Sequence, residues 1–205
     1  MNKYIFPAAA IIALASCGGN ANKTAPGTDK KLPQEKVAEK VGTATWINDF
    51  RAFRDAVYQS DRKKVKEFVD FPITDQTINI WGIVYAGTKE YDTHGFDTIP
   101  FTEKDFDKFY DKLFTKTFIK CLLKIKSEEL YKKGKVSSPK LEEEAMIHTL
   151  HADVSEDNTL TLNLSSSGHY TVEEGESDKI EFNVMFSFSI LENGKIKLKK
   201  VMMAG

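Results

Sequence analysis

The chain has 205 residues, 41% hydrophobic and 29% charged, which suits one globular domain with a sizeable core plus extensions. Its 29 lysines and arginines nearly balance 30 aspartates and glutamates, and this speaks against a nucleic-acid partner, which needs a basic excess gathered on one face. No G-x-S-x-G elbow, P-loop or Rossmann glycine pattern is present, so the sequence calls for no cofactor and names no catalytic residue.

Residues 1–16 hold Lys3 and then an uncharged apolar run from Tyr4 to Ala15. The run is too short to span a bilayer and reads as a secretory signal. It ends in Leu14-Ala15-Ser16-Cys17, which resembles the bacterial lipobox. There, small side chains admit the peptidase, and the cysteine thiol forms a thioether to diacylglycerol and becomes the new N-terminus. The alternative is a plain signal peptide followed by an ordinary cysteine. Lipidation of Cys17 would anchor the protein firmly, since each buried methylene contributes roughly 0.8 kcal/mol. Gly18 follows with no acidic run, and the resemblance to sorted lipoproteins then implies the outer membrane, periplasmic side.

Residues 17–44 complete the lipidated cysteine and a tether. From Gly18 to Val41 the chain is rich in Gly, Asn, Lys and Pro and carries almost no large apolar side chain, so it cannot bury enough surface to fold. A coil of this length spans roughly 29 Å on average, enough to hold a domain of residues 45–205 clear of the headgroups.

That domain opens on Trp46, Phe50, Phe53 and Val57, an apolar stripe at helical spacing. Ser60 or Asp61 caps a second helix bearing Val65, Phe68 and Val69, Pro72 stops it, and Phe71-Pro72-Ile73 opens a strand. This pattern resembles the start of the nuclear transport factor two-like (cystatin-like) fold, in particular uncharacterised lipoproteins of Gram-negative anaerobes. The resemblance implies an α+β architecture: a curved antiparallel sheet wrapped around two to three helices, cone-like, with a cavity between the layers. Members of that fold include isomerases, dehydratases and non-catalytic binding modules, but none of their catalytic residues maps onto this sequence.

Downstream, Thr77–Ala86 is β-branched and aromatic and reads as a strand. Residues 91–100 read as a loop. Thr102 and Asp105 cap a third helix carrying Phe106, Phe109, Tyr110, Leu113 and Phe114, broken near Thr115–Thr117 and continuing to about Gly134. Residues 145–154 carry both helical and strand signals; Ile147, Thr149 and Val154 favour a strand paired with 159–164 across a turn at Glu156-Asp157-Asn158. Phe182, Val184, Phe186, Phe188 and Ile190 alternate along a strand, and Asn193-Gly194 turns it into a partner with Ile196 and Leu198. The alternate lysines 195, 197 and 199 read as a solvated edge.

Candidate chemistry is sparse. With Cys17 lipidated, Cys121 is the sole thiol and, among Phe118, Leu122 and Leu123, reads as a buried structural residue. His148, His151 and Asp153 give the one hint of a metal site, but on a strand the histidines point to opposite faces, so no metal is expected. His94 with Asp97, and His169 beside Tyr170, are weaker. Glu128-Glu129, Glu142–Glu144 and Glu173-Glu174 read as solvated, and the acid/base candidates near an apolar pocket are Asp70, Tyr85 and Tyr110. The leading expectation is a lipid-anchored, non-enzymatic module for a small hydrophobic ligand or an envelope protein partner. The alternatives are an acid/base enzyme acting in the cavity and a structural accessory of an outer-membrane assembly. A histidine or buried carboxylate facing an open cavity would favour the enzyme; a cavity filled by Trp81, Phe186 and Phe188 would count against it.

Overall fold

In the computed structural model, which describes residues 45–74, 80–171 and 177–205, the opening stripe forms helix α1 (Trp46–Tyr58). Phe50, Phe53 and Val57 are fully buried, with Ile47 beside them and Trp46 half-buried against Tyr131. The signal segment, Cys17 and the tether lie outside the described residues.

Helix α2 (Arg62–Lys66) is capped by Asp61, whose side chain accepts from the Lys64 amide at 3.0 Å. It ends earlier than the sequence implies, well before Pro72. Phe68–Asp70 instead runs along the edge of the last strand: Leu198 N–H donates to the Phe68 carbonyl (2.7 Å) and Asp70 N–H to the Leu198 carbonyl (3.0 Å). The strand expected at Phe71–Ile73 reduces to one bridge between Ile73 and Phe101. Pro72 follows a cis peptide bond and cannot donate to a ladder.

The expected strand over Thr77–Ala86 is also corrected. Residues 75–79 lie outside the described residues, and Ile80–Tyr85 forms helix α3. Ile80, Trp81, Gly82, Ile83 and Val84 are all buried, so the segment has no solvent face and no alternation. In such an apolar run tertiary packing, here against the helix at Glu103–Leu113 and the last strand, overrides β propensity. A short helix α4 (Tyr91–His94) interrupts the expected loop.

Helix α5 (Glu103–Leu113) starts at a capping box in which Thr102 and Asp105 satisfy each other's amides. The break falls where the sequence places it: Thr115 caps α6 (Lys116–Leu122) by accepting from Phe118 N–H at 3.2 Å, and α7 (Ser127–Lys133) ends at Gly134, φ 73°. Arg51 of α1 pairs with Glu128, and Arg54 reaches the Ile125 carbonyl and the Ser127 hydroxyl.

The sheet has six strands: β1 (Lys135–Ser137), β2 (Leu141–Glu143), β3 (Met146–Val154), β4 (Thr159–Thr171), β5 (Ser177–Ile190) and β6 (Ile196–Ala204). Their order is β1-β3-β4-β5-β6, with β2 beside β1 on the same edge of β3, and every pairing is antiparallel. The pairings of β3 with β4 and of β5 with β6 are those read from the sequence. Ser138-Pro139 connects two strands, and Ser138 continues the ladder: its amide donates to the Leu150 carbonyl and its hydroxyl oxygen accepts from the Leu150 amide. Between Ser187 and Phe188 the register slips, leaving Lys199 as an extra residue on β6. This bulge lets Ile196 and Leu198, then Val201, all face inward.

One face of the sheet carries Leu150, Leu160, Leu162, Phe186, Phe188 and Leu198, all buried beneath the helices. Phe53 meets Phe188 ring to ring at 5.0 Å, and Phe114 stacks on Phe186 at 5.6 Å. The architecture is α+β, a curved antiparallel sheet around helices. The lysines of β6 are more than a solvated edge. Lys195 bonds Asp49, Lys197 the Glu67 carbonyl and Lys199 the Asp70 carboxylate, so they tie the edge strand to the helical layer.

Gly168 fits a specific crowding. A Cβ there would sit 2.5 Å from the Ala145 carbonyl oxygen and collide with the Met146 sulfur. Gly168→Ala should therefore cost about 1–3 kcal/mol through strain in the β2–β3 hairpin. Urea denaturation midpoints check this, and an unchanged midpoint would mean that the hairpin shifts freely.

Candidate functional site

Along the inward row of β4 the side chains shrink, from Leu160, Leu162 and Leu164 to Ser166 and Gly168. Phe114 and Phe118 close over Phe186. Beyond that contact the two layers part and leave a cavity of about 290 Å³, at the small end of ligand sites. Its roof comes from Ile83 of α3 and Ala86 just after it, Lys112 and Leu113 ending α5, and Thr115, Thr117 and Phe118 at the start of α6. Its floor is His148 of β3, Leu164 and Ser166 of β4, Phe182, Val184 and Phe186 of β5, and Met203 of β6.

The floor has one polar station. His148 is half-buried and its Nδ1 lies 2.8 Å from Oγ of Ser166, which is 1% exposed. Among the described residues Ser166 Oγ has no other hydrogen-bond partner, and donation to Nδ1 is the one direction that leaves no buried O–H unpaired there. The imidazole proton is then left on Nε2. Beside this station, Thr117 donates to the Glu143 carboxylate at 2.7 Å and Lys120 pairs with the same group. Those two partners, Lys120 first, hold the Glu143 carboxyl below its usual range. Thr117 and His148 also line a second, outer recess with Lys116, Lys120, Glu143, Glu144 and Met146. They form the passage between the apolar cavity and the surface.

The residues singled out from the sequence fall in different places. His148 lines the cavity, whereas His151 lies on the other face of β3, its Nδ1 2.8 Å from Ser137 Oγ, and Asp153 is exposed. Among the described residues no group of three or more His, Cys, Asp or Glu side chains is placed to hold a metal ion. His94 meets Asp97 at 3.1 Å, away from the cavity lining, and His169 is exposed. Cys121 is buried, and burial pushes its thiol up. Of the carboxylate runs, Glu128 pairs with Arg51 and Glu129 with Lys133, while Glu173-Glu174 lies outside the described residues.

The three acid/base candidates are corrected. Asp70 is exposed and pairs with Lys199, Tyr85 lies between Trp81 and His94, and Tyr110 is enclosed by Phe106 and Phe114. None lines the cavity. Nor do Trp81, Phe186 and Phe188 fill it. Trp81 donates to the Ile99 carbonyl and packs on Phe101, Phe188 lies under Phe53, and Phe186 alone touches the open space. Sequence reasoning missed Ser166, Thr115, Thr117 and Lys112. The diminishing row Leu164-Ser166-Gly168 was the available signal.

Tyr110 gives a pH expectation. Its hydroxyl is buried without a partner among the described residues, and burial raises its pKa to about 12. Between pH 10 and 12 the folded state keeps a proton that the unfolded state releases, so stability falls as pH rises through this window. The loss from this group is about 2–3 kcal/mol. Tyr110→Phe should lessen that fall and cost nothing at neutral pH, because it removes an unpaired buried hydroxyl. Denaturation at pH 7 and pH 11 checks both, and parallel losses in variant and wild type would refute the first.

No family model matches the sequence, and no curated protein matches it. Among solved structures the chain is similar to a provisionally named ketosteroid isomerase from Shewanella frigidimarina, with 12% identity over 80% of this chain and 98% of that one. The TM-score is 0.29, a value that gives the likeness no weight in assigning function.

Proposed function

We propose that this chain is a lipid-anchored envelope protein, facing the periplasm from the outer membrane. Its nuclear transport factor two-like domain holds a small apolar ligand between sheet and helices. The observation that carries the binding role is the open cavity of about 290 Å³, walled by Ile83, Leu113, Phe118, Leu164, Val184 and Phe186. An apolar space of this size left unfilled forgoes packing stability, and a ligand recovers it. The anchor rests on Leu14-Ala15-Ser16-Cys17 and the polar tether that follows.

Native mass spectrometry of the protein extracted from its own envelope tests the first part. A reproducible added mass that disappears on denaturation, and is lost in Leu164→Trp, is the expected result; a clean apo mass counts against an occupied cavity. For the anchor, Cys17→Ser should move the protein out of the membrane fraction, and retention there would remove it. A second reading, acid/base catalysis on a small apolar substrate, is favoured by His148 facing the open cavity. Turnover of the recovered ligand by wild type, abolished in His148→Gln with binding retained, would select it over simple binding.

A further inference from the structure

Resting on the cavity reading above, we infer that the ligand is a small amphiphilic monoanion, a carboxylate with a short apolar chain. The chain lies against Phe186 and Leu164, and the carboxylate lies on the side of the cavity lined by Lys112 and His148. The inference follows from what the cavity offers to a polar group. With Ser166 donating to His148 Nδ1, the direction that pairs its buried hydroxyl, the ring carries an Nε2–H that meets no partner among the described residues. The Thr115 oxygen accepts from Phe118 N–H, so its hydroxyl hydrogen remains to be given. Lys112 is an exposed residue at the cavity's edge, and its ammonium has no ion pair among the described residues.

No acidic side chain lines the cavity itself; in the outer recess Glu143 is already held by Lys120 and Thr117, and Glu144 is exposed to solvent. The open polar groups are therefore donors, and one of them carries a full positive charge. A ligand head that only accepts and is negative satisfies them all; an alcohol satisfies some, and an ammonium none. The rest of the lining is apolar and small in volume, which limits the body to a short hydrocarbon.

The test is calorimetric titration of the full chain with octanoate, octan-1-ol and octylammonium, three probes with the same tail and different heads. Octanoate is expected to bind about tenfold tighter than octan-1-ol, the gain of one charge-assisted hydrogen bond, with octylammonium weakest. Lys112→Gln should abolish most of the advantage of octanoate over octan-1-ol when both are measured on that variant. Equal binding of octanoate and octan-1-ol, or a preference for octylammonium, overturns the anionic head while the cavity reading stands. Failure of all three to bind overturns both.

Discussion

Replacing Phe53 by alanine should destabilise the protein by about 3–5 kcal/mol. Phe53 is fully buried at the centre of α1, and three rings converge on it: Phe188 at 5.0 Å, Phe68 at 5.6 Å and Phe114 at 6.0 Å, each edge to face. These belong to the sheet, to the segment after α2 and to the end of α5, so no single element can move in to fill the space. A domain of this kind has a total stability of roughly 5–15 kcal/mol, and the loss is a large share of it. Urea denaturation of wild type, Phe53→Leu and Phe53→Ala should give a graded series. An alanine variant that melts with wild type would show that α1 is not the lid on this sheet.

Asp49→Leu is expected to cost about 2–3 kcal/mol. Asp49 is 8% exposed, and its carboxylate accepts from the Ile196 amide and from the Lys195 ammonium, each at 2.8 Å. Leucine leaves a buried amide unpaired at the start of β6, and that accounts for most of the cost. Asp49→Asn keeps an acceptor for the amide and loses only the attraction to the largely exposed Lys195, a loss of under about 1 kcal/mol. If Asn proves as damaging as Leu, the charge matters and the acceptor does not. Asp49 also holds the Lys195 ammonium above its usual range, so on the alkaline side this pairing outlasts the ordinary lysine range.

The elements with a strong period were legible from the residues. The stripe through Phe50 and Phe53, the Thr102–Asp105 box and the alternating phenylalanines before Asn193-Gly194 each have one physical solution, because apolar spacing, cap and turn agree. Ile80–Tyr85 misled because a segment buried on all sides shows no period. The β2–β3 hairpin was hidden for a different reason. Its turn, Glu144-Ala145, takes positive φ at both residues (49° and 67°) without the Asn-Gly pair that normally announces such a geometry. Helix α2 ended early because a sheet edge 130 residues away claimed the backbone of Phe68–Asp70, which no local pattern records. The cavity is less legible still. It arises from a row of diminishing side chains opposite a helix break, and His148 could be placed on the correct strand but not beside Ser166 until the register of β3 and β4 was known.

The pairing of Phe68–Asp70 with Leu198 also governs when this chain can fold. The first helices of the domain find their partners on the last strand, so the layers close only when the C-terminal residues are available. Contacts so distant in sequence make folding slow. For a protein carrying an export signal, as proposed, this delay is useful: the polypeptide stays threadable through a narrow channel until its final strand has crossed.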